Sequence, residues 1–242
     1  MRDTDRGQSE LAGFVMIFSA VMLAIALLGV SGFAGIQAVE DHHRSSNAEQ
    51  AMLALSSNVD DLQRYGAPSR STEIRLADAG LRMEGSTVVN VSFTNGETIT
   101  VRPTPVVFEA DRSTTLRYAT GAVIREDDGH AVMVQEPSFV ISEETLILPL
   151  DETDASNAQP ISGTTAVHVE KTTTGVDVIR AADGLEGPVT VEITSPYATA
   201  WERYLDEHAE RDCSVTDPET VSCELHPETV VVTVTSVDVE FR

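Results

Sequence analysis

From Leu11 through Val39 the chain carries no acidic or basic residue. About 20 consecutive apolar residues suffice for a helix to cross a bilayer. The run therefore predicts a membrane-spanning helix over about 11–36, and the rest of the chain has to be organised around it. The leader, Met1 to Gly7, is charged, and everything after Glu40 is polar and acidic. The expected fold class is α+β: a long N-terminal membrane-spanning helix, then an antiparallel, β-rich, sandwich-like outer domain with one short extra helix.

Charge narrows the function classes. Of 242 residues, 39 are Asp or Glu and 16 are Lys or Arg, for a formal net charge of −23. Nucleic-acid binding rests on neutralising phosphates with bases. No basic patch offsets the acids, so nucleic acid is rejected as a partner. A charge this large strains the folded state by self-repulsion, which salt relieves, since the Debye length falls to about 3 Å at 1 M. Lys171 is the only lysine. Acid-rich, lysine-poor composition resembles that of haloarchaeal proteins and suits molar salt.

Three readings compete for the apolar run. A removable secretory signal has an apolar core of about 7–15 residues, roughly half the length found here. A plain uncleaved anchor is the second. The third rests on Arg6-Gly7-Gln8-Ser9-Glu10, which directly precedes the apolar helix. That stretch resembles the class III signal of type IV prepilins and archaellins. The resemblance implies a prepilin-type peptidase as partner, a cut between Gly7 and Gln8, and retention of the apolar helix. In many pilins an acid at the fifth mature position meets a neighbour's terminal amine. Here Glu10 would be third, so its assembly contact departs from the pattern. The resemblance covers about the first 65 residues.

Ala48, Met52, Leu55, Val59 and Leu62 recur at 4-3-4-3 spacing, one stripe of an amphipathic helix. Gly66-Ala67-Pro68 ends that pattern. One helix is thus predicted over 8–65, apolar about 11–36 and amphipathic about 45–65, with 1–7 as a cleavable leader and 70–242 as an extracellular β-rich domain. A membrane helix followed by a separate helix fits the same pattern. Gly29, Gly32 and Gly35 permit close helix approach.

Beyond Thr72 the pattern turns to period two, with turns at Thr94-Asn95-Gly96-Glu97 and Asp127-Asp128-Gly129. Strands are expected at Ile74–Ala77, Thr87–Phe93, Thr98–Val101, Val106–Glu109, Leu116–Ile124 and Ala131–Ile141. Others follow at Leu146–Pro149, Ala166–Lys171, Val176–Ile179, Val189–Thr194 and Val230–Phe241. Asp151–Gly163 reads as a surface loop. In the last strand Val230, Val232 and Val234 share one parity, while Val237, Val239 and Phe241 share the other. A bulge near Ser236 reconciles them. Ser195-Pro196 opens a short helix that carries Tyr197, Trp201, Tyr204 and Leu205 on one face. The segment from Ser195 to Leu205 resembles segments of haloarchaeal pilin-like proteins.

The search for chemistry yields no catalytic residue, no cofactor and no metal site. There is no Gly-x-Ser-x-Gly elbow, no phosphate loop and no His-Glu-x-x-His. His42-His43 are adjacent, so they do not share a helix face. Cys213 and Cys223, an even count in an outward-facing domain, suggest a local disulfide, with two reduced thiols as the rival reading. With His208 and His226 they match no usual zinc spacing. Asn90-Val91-Ser92 is a candidate N-glycosylation sequon, although Asn90 falls inside an expected strand.

The expected function is that of a membrane-anchored, pilin-like surface protein, a subunit or accessory of a type IV pilus-like filament. It would associate as homo- or hetero-oligomer through helix packing, single-pass in the cell membrane with its C-terminal domain outside. The alternative is a single-pass surface protein whose outer domain binds a solute or partner without polymerising. An anchored enzyme is the least favoured class.

Overall fold

A computed structural model of the protein describes the backbone of residues 4–110, 114–183, 187–209 and 213–242; the side chains of 4–12, 28–44, 156–157, 176 and 179–183 lie outside the description. Helix α1 spans Thr4–Tyr65. The chain divides into two compact units, Met1–Arg44 and Ser45–Arg242.

In the first unit the described side chains, Gly13–Leu27, are exposed. Phe14, Met16, Ile17, Leu23 and Leu27 each leave more than half their surface open. Among the described residues no helix is long and apolar enough to cross a membrane. That corrects the membrane-spanning helix in the expected fold class, the transmembrane assignment of 11–36 and the single-pass localisation in a cell membrane. Gly7, Gln8, Glu10, Gly29, Gly32, Gly35, His42 and His43 have side chains outside the described residues.

The second unit holds three sheets. The first has the order β1-β12-β16-β10-β9, with β1 Ser69–Arg75, β9 Val140–Ile141, β10 Thr145–Asn157, β12 Ala166–Asp183 and β16 Thr229–Phe241. The second has the order β11-β2-β5-β6-β7-β8, with β2 Ala79–Met83, β5 Val106–Glu109, β6 Thr114–Ala119, β7 Ala122–Asp127, β8 His130–Gln135 and β11 Ile161–Gly163. The third has the order β14-β15-β13-β3-β4, with β3 Val88–Phe93, β4 Thr98–Val101, β13 Val189–Thr194, β14 Ser214–Asp217 and β15 Thr220–Leu225.

The sheets are not uniformly antiparallel, which is a second correction. β10 runs parallel to β16, with Leu146 opposite Val230 and Leu150 opposite Val234. Parallel neighbours need a long crossover; here it is the whole stretch from β11 to β15. Parallel strands are also usually covered on both faces. Leu146, Leu148 and Leu150 are buried on one side of β10, and Asp151 and Thr153 are buried further along. The segment from Asp151 to Gly163 is therefore not the expected surface loop. Most of it is the rest of β10 and all of β11.

Two apolar clusters form the core. One gathers Leu146, Leu148, Leu150, Val230 and Val232 of the first sheet, Val89, Val91, Val189, Val191 and Val221 of the third, and the aromatic side chains Tyr197, Trp201 and Tyr204. Helix α2 is Ala198–Ala209 and buries Trp201, Tyr204 and Leu205. Ser195 Oγ accepts from the Tyr197 N–H at its start, at 3.2 Å. The other cluster gathers the α1 stripe with Ile74, Val167, Val169, Val237, Val239 and Phe241 of the first sheet, and Leu81, Phe108, Leu116 and Tyr118 of the second.

β16 serves both clusters, which explains its change of parity: Val230 and Val232 belong to one, Val237 and Val239 to the other. One register irregularity of the β12–β16 pair sits on β12 between Thr173 and Gly175, opposite Val237 and Ser236, and a second lies between Val178 and Arg180. The expected strand Leu116–Ile124 is instead a hairpin of β6 and β7. Its turn holds Thr120 at φ 42° and Gly121 at φ 84°. A Cβ on Gly121 would approach Pro137 to 3.2 Å, and the positive φ favours glycine as well.

Candidate functional site: the helix seam

The residues with unusual chemistry gather where Ser45–Tyr65 of α1 lies on the first two sheets. Ala48, Met52, Leu55, Val59 and Leu62 are almost fully buried there. Burying a large apolar side chain contributes about 1.5–3 kcal/mol, while one hydrogen bond contributes about 0.5–1.5 kcal/mol net. The apolar stripe thus holds the helix down, and the polar contacts beside it fix its register.

Those contacts line both sides of the stripe. On one side Ser56 Oγ donates to the Gly121 carbonyl at 2.9 Å, Ser138 Oγ donates to Asp60 at 2.6 Å, and Arg125 Nη1 donates to Glu49 at 2.9 Å. A cavity of about 160 Å³ lies there, lined by Ser56, Asp60, Gln63, Gly121 and Ser138 among others. On the other side Asn58 Nδ2 donates to Thr72 Oγ1 at 2.7 Å. Lys171 Nζ donates to the same Thr72 Oγ1 at 2.8 Å and to the Leu55 carbonyl, within α1, at 3.5 Å.

Lys171 is 1 % exposed. Burial alone brings its amine down to about 7, with no carboxylate contributing. It faces α1 because it shares parity on β12 with Val167 and Val169, both buried.

Asp151 is the acidic counterpart. Its Oδ1 accepts from the Tyr118 hydroxyl at 3.0 Å, and its backbone N–H donates to Thr120 Oγ1 at 3.4 Å. Oδ2 is buried without a hydrogen-bond partner. Burial pushes the carboxyl up to about 7, against the lowering effect of the Tyr118 hydrogen bond. Tyr118 is held well above its ordinary value by burial first and by Asp151 second. Burial thus shifts Asp151 and Lys171 in opposite directions to about 7, so near neutral pH each is poised between its charged and neutral forms, as expected where desolvation penalises charge.

The residues singled out from sequence lie elsewhere. Cys213 and Cys223 form a disulfide, with Cα atoms 4.4 Å apart, inside the cluster that holds Trp201. Asn90 is central in β3; its Nδ2 donates to Glu192 at 3.2 Å, and its Oδ1 accepts from Thr100 at 2.8 Å. His208 and His226 lie beside Glu136 and Glu224, at 3.5 and 3.8 Å. Among the described residues no three His, Cys, Asp or Glu side chains gather as metal ligands would. An open cleft of about 570 Å³ over Arg102, Glu152, Asp154 and Asp238 is polar and of mixed charge.

Sequence reasoning missed both Asp151 and Lys171. The parity of Val167, Val169 and Lys171 was a usable signal for the lysine. Asp151 had none, because it opens a stretch that reads as a turn.

Together these features define a β-rich protein whose N-terminal helix is apolar and exposed along one stretch and amphipathic along another. Residues 6–240 match the family described as "Family of unknown function (DUF7289)", and the chain belongs to that family. No curated protein and no solved structure matches it.

Proposed function

We propose that the protein is a pilin-like filament subunit that assembles through the apolar part of α1. The observation that carries this reading is the exposed run Phe14–Leu27, with Phe14, Val15, Met16, Ile17, Phe18, Val21, Met22, Leu23, Ile25 and Leu27 all largely open. Contiguous exposed apolar surface of this kind marks an interaction site. It extends round the helix rather than along one stripe, so one flat partner covers only part of it. Several parallel copies of the same helix cover all of it, and each copy brings the same need. The occupant is therefore a second, third and further copy of this chain. The prepilin-like stretch Arg6-Gly7-Gln8 supports the same reading, with a prepilin-type peptidase cutting after Gly7. The amphipathic helix docked on a β-rich unit also supports it.

The test uses the full chain in molar salt, followed by sedimentation and electron microscopy, beside the double variant Ile17→Glu/Leu23→Glu. The expected result is regular filaments from the parent and monomers from the variant, with unchanged urea unfolding of the β-rich unit. A parent that stays monomeric at every concentration would refute the proposal. So would aggregates without a repeat, or a variant that assembles like the parent.

A further inference from the structure

A chain that carries one lysine keeps it buried under a helix, with no carboxylate beside it among the described residues. An uncompensated buried ammonium is unfavourable, so a neutral amine is the form this site favours, and a neutral amine is a nucleophile. The Asn58 carboxamide lies one hydroxyl away. Thr72 Oγ1 accepts from Lys171 Nζ at 2.8 Å and from Asn58 Nδ2 at 2.7 Å. The two nitrogens are therefore separated by less than two hydrogen bonds, with a proton carrier between them. Asn58 belongs to α1, Thr72 to β1 and Lys171 to β12, so the three are presented by elements already packed together.

We propose that this is a self-modification site: Lys171 Nζ bonds to Asn58 Cγ to form an intramolecular isopeptide, with the Thr72 hydroxyl carrying the proton. The Nζ–Cγ bond forms and the Cγ–Nδ2 bond breaks. One proton of the amine passes through the Thr72 hydroxyl to the departing nitrogen, which leaves as ammonia. No oxidant, reductant or cofactor enters the balance. Burial serves the step by raising the unprotonated fraction of the amine, consistent with its lowered titration. Holding the amine and the carboxamide on elements already packed together replaces a bimolecular encounter with an intramolecular one. The product ties α1 to the first sheet covalently and leaves no amine to titrate. It requires no second copy of the chain, so it stands or falls apart from filament assembly.

The experiment is a peptide map of the full-length purified chain, together with amine labelling in denaturant. The expected result is a branched peptide joining the segment that carries Asn58 to the segment that carries Lys171, lighter by one ammonia. Because Lys171 is the sole lysine, the denatured chain should then take an amine-reactive label at its N-terminus only. In Asn58→Ser the branched peptide should disappear and the second label return. Thr72→Val should stay unlinked while keeping its urea midpoint close to that of Asn58→Ser. The map decides rather than the mass alone, because succinimide formation at any asparagine also sheds ammonia. Two unbranched peptides and a fully labelled Lys171 in the parent chain would overturn the proposal, and a linked Thr72→Val would overturn the hydroxyl's role.

Discussion

Asp151 allows a quantitative test of how the core handles charge. Its carboxyl is wholly buried and titrates near 7 in the folded chain, against an ordinary 3.8. A folded-state value above the unfolded one means that the folded chain binds the extra proton between those limits. The stabilising effect is complete below about pH 4 and is lost as pH rises through 7. At about 1.4 kcal/mol per unit, the loss across that window is about 4 kcal/mol, with no discount for solvent because the group is fully buried. Asp151→Asn removes the titration while leaving an amide oxygen for the Tyr118 hydroxyl. The assay is urea unfolding at fixed molar salt from pH 4 to 9, followed by the fluorescence of Trp201, the one tryptophan. Surface carboxylates titrate alike in both proteins, so the difference between them isolates residue 151. The variant should gain about 4 kcal/mol relative to the parent between pH 4 and pH 8. Parallel curves would refute the reasoning and would mean that Asp151 finds solvent or a cation in solution.

Further expectations follow from the packing. Leu55→Ala opens a cavity under α1 and should cost about 2–5 kcal/mol in urea unfolding; a loss below 1 kcal/mol would mean that the helix is not docked as described. Replacing Cys213 and Cys223 by serine should cost about 2–3 kcal/mol, given the short closed loop, and lower the midpoint of thermal unfolding. Asn90→Ala removes two cross-strand bonds on β3 and should cost about 1–2 kcal/mol; a glycan on Asn90 would have to break the bond its amide donates to Glu192, and glycopeptide mass spectrometry checks this directly.

Much of the second unit was legible because local pattern and tertiary packing agree there. The stripe from Ala48 to Leu62 reads as one helix face and is one. Tyr197, Trp201, Tyr204 and Leu205 read as a core face and are buried together. The hairpin of β3 and β4 follows from Asn95-Gly96. Failures occur where long-range pairing overrides local chemistry. Asp151 to Gly163 is polar and rich in turn formers, yet β16 pairs with it through most of β10. Thr120-Gly121 is a turn without the usual doublet, so two strands read as one. The uncharged run invited a bilayer because length and hydropathy were its only local signals. The helix seam was legible in its apolar half alone. Buried polar partners more than a hundred positions apart, such as Leu55 and Lys171, leave no periodic trace.

β16 sits in the middle of its sheet and supplies side chains to both apolar clusters. Neither cluster can close until residues 229–241 have left the ribosome, although most of their other members are made much earlier. The nascent β-rich unit must therefore wait with both unfinished cores open, and pairings across such sequence distances form slowly. Folding of this unit waits on a strand made after its partners, and its exposure to misassembly is set by how quickly that strand finds its place.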